Sequence, residues 1–107
     1  MMAAEKVTRI RTTPGGWDSN LDPVPSTESS LPIRALGIEP GLSEELAEFG
    51  RDGERIEFTI YLRRGADITN GDELIVRGDR FAVRVVDWRS PRTRRGGLVA
   101  LASLGRG

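Results

Sequence analysis

The feature that most constrains the fold is a strict alternation of apolar and polar side chains in residues 55–62. The apolar members of this segment are Ile56, Phe58, Ile60 and Leu62. A period of two is typical of a β-strand with one buried face, and it does not fit the 3.6-residue period of a helix. Because such a face needs other strands beside it, the chain is expected to be rich in β-structure.

Five further segments have short apolar or alternating patterns that predict strands. They are residues 5–12, 31–38, 73–77, 80–89 and 98–104. Gly-containing turn signals separate several of them, and Gly78-Asp79 predicts a hairpin between the fourth and fifth strands. The fold class is therefore all-β, and the expected architecture is a small six-stranded β-barrel, since closing the sheet hides its edges.

Long polar segments interrupt this pattern at residues 13–30, 39–53 and 90–97, which are predicted to be loops. In the second loop, Ser43 is placed to cap one helical turn with Leu42, Leu46 and Phe49 on one side. In the first loop, Trp17 and Leu21 are large apolar residues, which usually fasten a loop to the body or to a neighbouring molecule.

Length and charge set further limits. The 107 residues are expected to form a single domain, 1–107. Sixteen basic and sixteen acidic residues cancel, so no overall field draws the protein to nucleic acid or to a membrane, and a protein partner is favoured. The absence of cysteine and of a long apolar run predicts a soluble protein in the reducing cytoplasm of the cell that makes it.

The chain also lacks histidine. It therefore has neither the usual general base, nor a thiol nucleophile, nor the commonest transition-metal ligands. A carboxylate pair among Glu44, Glu45 and Glu48 is formally possible, but solvated charges on a polar segment are the simpler interpretation. The sequence predicts no enzyme, no catalytic residue, no metal and no cofactor.

One local cluster of positive charge follows Trp88. It consists of Arg89, Arg92, Arg94 and Arg95. These arginines suit DNA phosphates or acidic patches on a neighbouring subunit, and they equally suit a loop that only aids solubility. Trp88 itself is expected to be a core or interface anchor.

Three stretches in a fixed order resemble the head-to-tail stopper, or head-closure, proteins of long-tailed bacteriophages, especially those of actinobacterial hosts. They are SEELAEFGRDGERIEFTIYLRRGADI, which begins at Ser43, DELIVRGDRFAV, which begins at Asp72, and DWRSP, which begins at Asp87 and is followed by GLVAL at residues 97–101. The resemblance covers residue 43 to the C-terminus and continues into Gly15-Gly16 and Asp22-Pro23. It departs at Arg63-Arg64 and in residues 31–39.

This resemblance implies a β-barrel subunit of a six- or twelve-fold homo-oligomeric ring at the phage neck, found in the virion and, before assembly, in the host cytoplasm. The ring would lie between the portal and adaptor complex and the tail terminator or tail tube, retain packaged double-stranded DNA and offer a docking face to the tail. The loop implied to reach the channel matches residues 41–53, and its candidate channel-facing residues are Glu44, Glu45, Glu48, Arg51 and Asp52. The isolated chain is expected to be monomeric or weakly associated.

The candidate contacts between subunits or rings lie on or directly beside the other two loops. They are Trp17, Leu21, Trp88, Arg89, Arg92, Arg94 and Arg95. Three alternatives remain: a nucleic-acid-binding barrel of the OB or SH3-like kind, another neck protein such as a tail terminator or an adaptor, and, least favoured, a hydrolase. The first predicts a basic sheet face with exposed aromatic rings.

Overall fold

The protein is all-β, with one curled antiparallel sheet that has the shape of a half-barrel. The structure is a computed structural model that describes residues 5–42, 44–51, 53–89 and 96–104, apart from the side chains of Glu45 and Arg89. The strands are β1 (Glu5–Thr13), β2 (Thr27–Ala35), β3 (Gly37–Pro40), β4 (Ile56–Leu62), β5 (Glu73–Val76), β6 (Asp79–Arg89) and β7 (Gly96–Leu104). A 3-10 helix, Glu44–Phe49, lies between β3 and β4.

The sheet has seven strands, not six, in the order β2-β1-β5-β6-β7-β4-β3. The single strand predicted at residues 31–38 is two strands, because the chain bends at Leu36. Before the bend it pairs with β1, and after it with β4. The two edge strands of the sheet are thus consecutive in the chain.

The predicted loops are shorter than expected. Residues 27–30 belong to β2, where the ladder to β1 continues to the pair Thr13 and Thr27 despite the polar composition. Residues 39–40 belong to β3, and residues 96–97 belong to β7, opposite Arg89 and Trp88. Cross-strand pairing satisfies the backbone of these polar segments, so composition alone placed their boundaries wrongly.

The hairpin between β5 and β6 is confirmed, but its turn lies one residue earlier than predicted. Val76 pairs with Asp79, and the two residues between them, Arg77 and Gly78, both have positive φ, at 52° and 91°. Positive φ at both central positions is the backbone of a type I′ turn, whose twist matches that of the flanking strands.

The main core fills one face of the sheet. It combines residues from strands that are distant in the sheet order, such as Val7 of β1 and Ile60 of β4. The rings of Phe58 and Phe81 meet there edge to face, with their centroids 5.4 Å apart. Because opposite ends of the sheet share one core, the sheet must curl strongly.

A second, smaller core lies on the opposite face. The 3-10 helix packs there through Leu46, which is 1% exposed, against Val99 and Leu101 of β7. Ile56, predicted to lie with Phe58, packs in this second core because the ladder between β4 and β7 is irregular between the two residues. Trp88 also packs here, not in the main core with Phe58 and Phe81.

Candidate interaction surface

A hairpin arm extends from one end of the sheet. Beyond Ile10, β1 pairs only with β2, and residues 28–32 of β2 are exposed. We call residues 13–27 the arm. The protein measures 57 Å along its longest axis and 29 and 27 Å along the others. An elongated shape of this kind fits a body with a projecting arm.

Ion pairs hold the base of the arm to the sheet. Arg80 of β6 donates to Glu28 of β2 at 2.6 Å and to Glu73 of β5 at 2.7 Å. The arginine lowers the pKa of the Glu28 carboxyl through this hydrogen bond and its charge. These groups are exposed, so the pairs orient the arm more than they stabilise the fold.

The tip of the arm is a defined loop. The carboxylate of Asp18 accepts hydrogen bonds from the backbone N–H groups of Asn20, at 2.8 Å, and Asp22, at 2.9 Å. Trp17 forms a bridge with Pro23, and the N–H of Val24 donates to the carbonyl of Gly16. Gly15 is required for this shape, because a Cβ there would lie 2.1 Å from the carbonyl oxygen of Val24.

The tip exposes large apolar side chains. Trp17 is 70% exposed and Leu21 is 79% exposed, and Val24 beside them is also exposed. Leu21 has a φ of 62°, a left-handed conformation that is unfavourable for a branched side chain. The structure therefore places the two predicted contact residues, Trp17 and Leu21, together in the exposed tip of the arm.

A basic cleft lies at the other end of β2. It has a volume of about 300 Å³ and is lined by Pro32, Ile33, Arg34, Arg63, Arg64, Gly65 and Ala66. Arg64 lies 3.9 Å from Asp87, a long and exposed ion pair. Within the described ranges, no carboxylate pairs with Arg34 or Arg63. The cleft thus has uncompensated positive charge at Arg34 and Arg63, beside apolar side chains such as Ile33.

The segment predicted to reach the channel is anchored to the sheet at the C-terminal end of its helix. Arg84 of β6 donates to both carboxylate oxygens of Glu54, at 2.7 and 3.0 Å, and to the carbonyl of Phe49. This pairing holds the pKa of Glu54 below its usual value, mainly through the hydrogen bonds. Glu44, Glu48 and Arg51 remain exposed, whereas Asp52 and the side chain of Glu45 lie outside what the structure describes.

The basic cluster near Trp88 is only partly described. Trp88 is half-buried against the second core, which makes it part of the fold. The backbone of Arg89 ends β6 opposite Gly96. The remaining members of the cluster, Arg92, Arg94 and Arg95, lie outside the described residues.

An ion-pair network that the sequence analysis did not identify ties β1 to the connection between β4 and β5. Arg9, 6% exposed, donates to Asp67 at 2.7 Å, and Arg11 donates to Asp72 at 2.8 and 2.9 Å. Asp72 also accepts from the N–H of Thr69. The signal in the sequence was the pair of arginines two residues apart on one strand, which places both on the same face.

This network orders a turn and is not arranged for acid catalysis. Hydrogen bonds from Arg11 lower the pKa of both Asp67 and Asp72, and burial only partly opposes this for Asp72. A general acid needs a raised pKa, and these carboxyls shift the opposite way. Across the described part of the chain, no three acidic side chains are grouped as a metal site would require.

The fold and surface together define a class: a small all-β domain with a projecting, aromatic-tipped hairpin. The chain matches no protein-family model and no curated protein sequence. Among the described residues, no helix has the length and apolar character needed to cross a membrane.

Proposed function

We propose that this chain is a non-enzymatic structural subunit of a tailed-phage neck. Copies form a ring between the portal and adaptor complex and the tail, where the ring retains packaged DNA and presents a docking face to the tail. The observation that carries the proposal is the arm, whose exposed Trp17 and Leu21 belong to neither core formed by the described residues. Such residues are typical of protein interfaces.

The small closed barrel implied by the resemblance is part of this proposal. β2 and β3 are joined through Leu36, and β2 approaches β4, so the curled sheet wraps around the main core. A rigid body of this kind suits a ring subunit, because it fixes the direction in which the arm projects. The neutral overall charge suits a subunit whose main partners are proteins.

We assign the channel-facing role to the 3-10 helix and the residues that follow it. Leu46 and Arg84 hold this segment against the sheet, while Glu44 and Glu48 lie exposed on its outer side. Carboxylates facing the lumen would repel DNA phosphates, so the ring would narrow the channel without binding the DNA tightly.

The nucleic-acid-binding alternative receives less support from the placement of the aromatic rings. On the sheet, Phe58 and Phe81 meet edge to face within the main core, and Trp88 packs in the second core. A binding platform for single strands needs rings open to the bases. A tail-terminator role uses the same ring architecture and is separated from the stopper role by position in the virion.

The test is to locate the chain in virions. Quantitative mass spectrometry of purified particles should find it at a fixed six- or twelve-fold copy number, and cryo-electron microscopy of the neck should place it between adaptor and tail. Absence from purified particles would overturn the structural proposal. Micromolar or tighter DNA binding at physiological salt would then favour the alternative.

A further inference from the structure

The tip of the arm and the basic cleft are complementary in charge and chemistry. The charged residues within the arm, Asp18 and Asp22, are both acidic, and they flank the exposed Trp17 and Leu21. The cleft presents Arg34, Arg63 and Arg64 beside apolar side chains that include Ile33. Arginine recognises both carboxylates and aromatic faces, so an acidic, aromatic tip is the ligand that this cleft fits.

The two surfaces cannot meet within one molecule. The cleft lies beside Ile33, and the ladder of β2 with β1 fixes a straight path from there to Thr27 at the arm. Six residues of strand span about 20 Å, and the tip lies beyond that point. The tip that fills a cleft must therefore come from another molecule.

Leu21 gives an independent reason to expect a partner at the tip. Its left-handed backbone would suit glycine or asparagine, and its exposed side chain contributes nothing to the described cores. A residue that is unfavourable for the backbone and unused by the fold points to a role in contact, since strained positions cluster at functional sites.

We propose that the arm tip of one copy of this chain docks in the Arg34–Arg63–Arg64 cleft of the next copy. Tip and cleft are different surfaces of the chain, so the contact is heterologous and generates a closed ring or an open filament. The inference rests on the proposed function only in its premise that copies of the chain assemble.

The first experiment uses the absence of natural cysteine. Ser19→Cys protein is mixed with Pro32→Cys protein at high concentration and treated with a short flexible bismaleimide, so that only the introduced thiols react and the charged residues of tip and cleft stay intact. We expect a cross-linked heterodimer in several-fold excess over that formed by Ser19→Cys with Glu48→Cys, a matched control on the exposed side of the 3-10 helix. Adding Leu21→Asn to the first partner should abolish the excess.

A second variant measures ring closure. A chain with both Ser19→Cys and Pro32→Cys should give a ladder of covalent oligomers that stops at the subunit number of the ring. A reciprocal charge exchange provides a check without cross-linking: Asp22→Arg and Arg63→Asp should each weaken association in sedimentation equilibrium, and mixing the two variants should restore it.

The outcomes separate this contact from the proposed function. Equal cross-linking to positions 32 and 48, or no recovery on mixing the charge variants, would overturn the tip-to-cleft contact even if virions contain the chain. If tip variants lose incorporation into virions without any self-contact, another neck protein occupies the tip, and the proposal is wrong. A specific cross-link in a protein absent from virions would support the contact and refute the neck function.

Discussion

At the residue scale, ion pairs link segments that are far apart in the chain. Asp72 is the clearest case, since it is 4% exposed and accepts hydrogen bonds from Arg11 and Thr69. Removing one member of such a set leaves its partners without their hydrogen bonds in a partly desolvated site, which costs more than the loss of a surface ion pair.

We predict that Asp72→Asn lowers the free energy of unfolding by about 2 kcal/mol near neutral pH. Urea denaturation followed by tryptophan fluorescence measures this, with Asp87→Asn as the matched control. The carboxyl of Asp87 is exposed and 3.9 Å from Arg64, so its variant should change stability by less than about 0.5 kcal/mol. Equal effects in the two variants would contradict the role given to the network.

The shifted pKa of the Asp72 carboxyl also predicts how protein stability depends on pH. The folded-state pKa of Asp72 is lowered by Arg11. The contribution of the Asp72 carboxylate to the free energy of unfolding is therefore complete above its unfolded-state pKa of about 3.9. It is lost as the pH falls through the lower pKa of the folded state. The stability difference between wild type and Asp72→Asn should stay constant from neutral to mildly acidic pH and shrink below about pH 4. A difference that shrinks between about pH 6 and pH 5 would implicate another group.

Substitution of Leu21 is predicted not to lower the free energy of unfolding, in contrast to substitution of Asp72. Asparagine tolerates the left-handed backbone better than leucine, so Leu21→Asn should leave the monomer as stable as wild type or raise its unfolding free energy by about 0.5 kcal/mol. Thermal denaturation of dilute protein measures this. A large loss of stability would show that the side chain packs within its own chain.

At the scale of elements, the 3-10 helix depends on tertiary contacts. A helix of six residues has no independent stability, so its position rests on Leu46 and on the Arg84–Glu54 pair.

Leu46→Ala should lower the free energy of unfolding by about 2 to 4 kcal/mol, because it leaves a cavity in the second core. Hydrogen exchange of residues 44–50 should accelerate more than that of β5 and β6. Glu48→Ala, on the exposed side of the same helix, should change neither quantity. If both variants behave alike, the helix is not anchored through Leu46.

At the scale of the whole molecule, the described cores lie in the body, whereas the proposed contact between copies begins in the arm. Thr13 and Thr27 face each other across the ladder, so residues 14–26 can be replaced by a short Asn-Gly turn. The shortened protein should keep the wild-type circular dichroism spectrum and melt within a few degrees of it, because the removed residues are exposed.

The shortened protein should also lose concentration-dependent association. In the wild type, association should weaken between low salt and about 0.5 M salt, because the proposed contact is partly between exposed charges. Sedimentation velocity measures both effects. Association that survives removal of the arm would place the interface elsewhere on the body.

The sequence by itself determined the all-β class, the hairpin of β5 and β6, and the apolar side of the 3-10 helix. Each of these follows from a local pattern: alternation along a strand, glycine at a turn, and Leu42, Leu46 and Phe49 at helical spacing. The hypothesis that Trp17 and Leu21 contact a partner also rests on a local pattern, since they are large apolar residues in a polar loop.

Only the tertiary structure decided the strand count, the extent of the arm and the position of the basic cleft. The bend at Leu36 and the extension of β2 to Thr27 depend on pairing with β1 and β4, which no local pattern encodes. The cleft joins Arg34 to Arg63 and Arg64 across nearly thirty residues of sequence. Residues this far apart in the sequence come together only when the sheet curls. The three arginines could therefore be counted in the sequence, but their positions relative to one another could not be predicted from it.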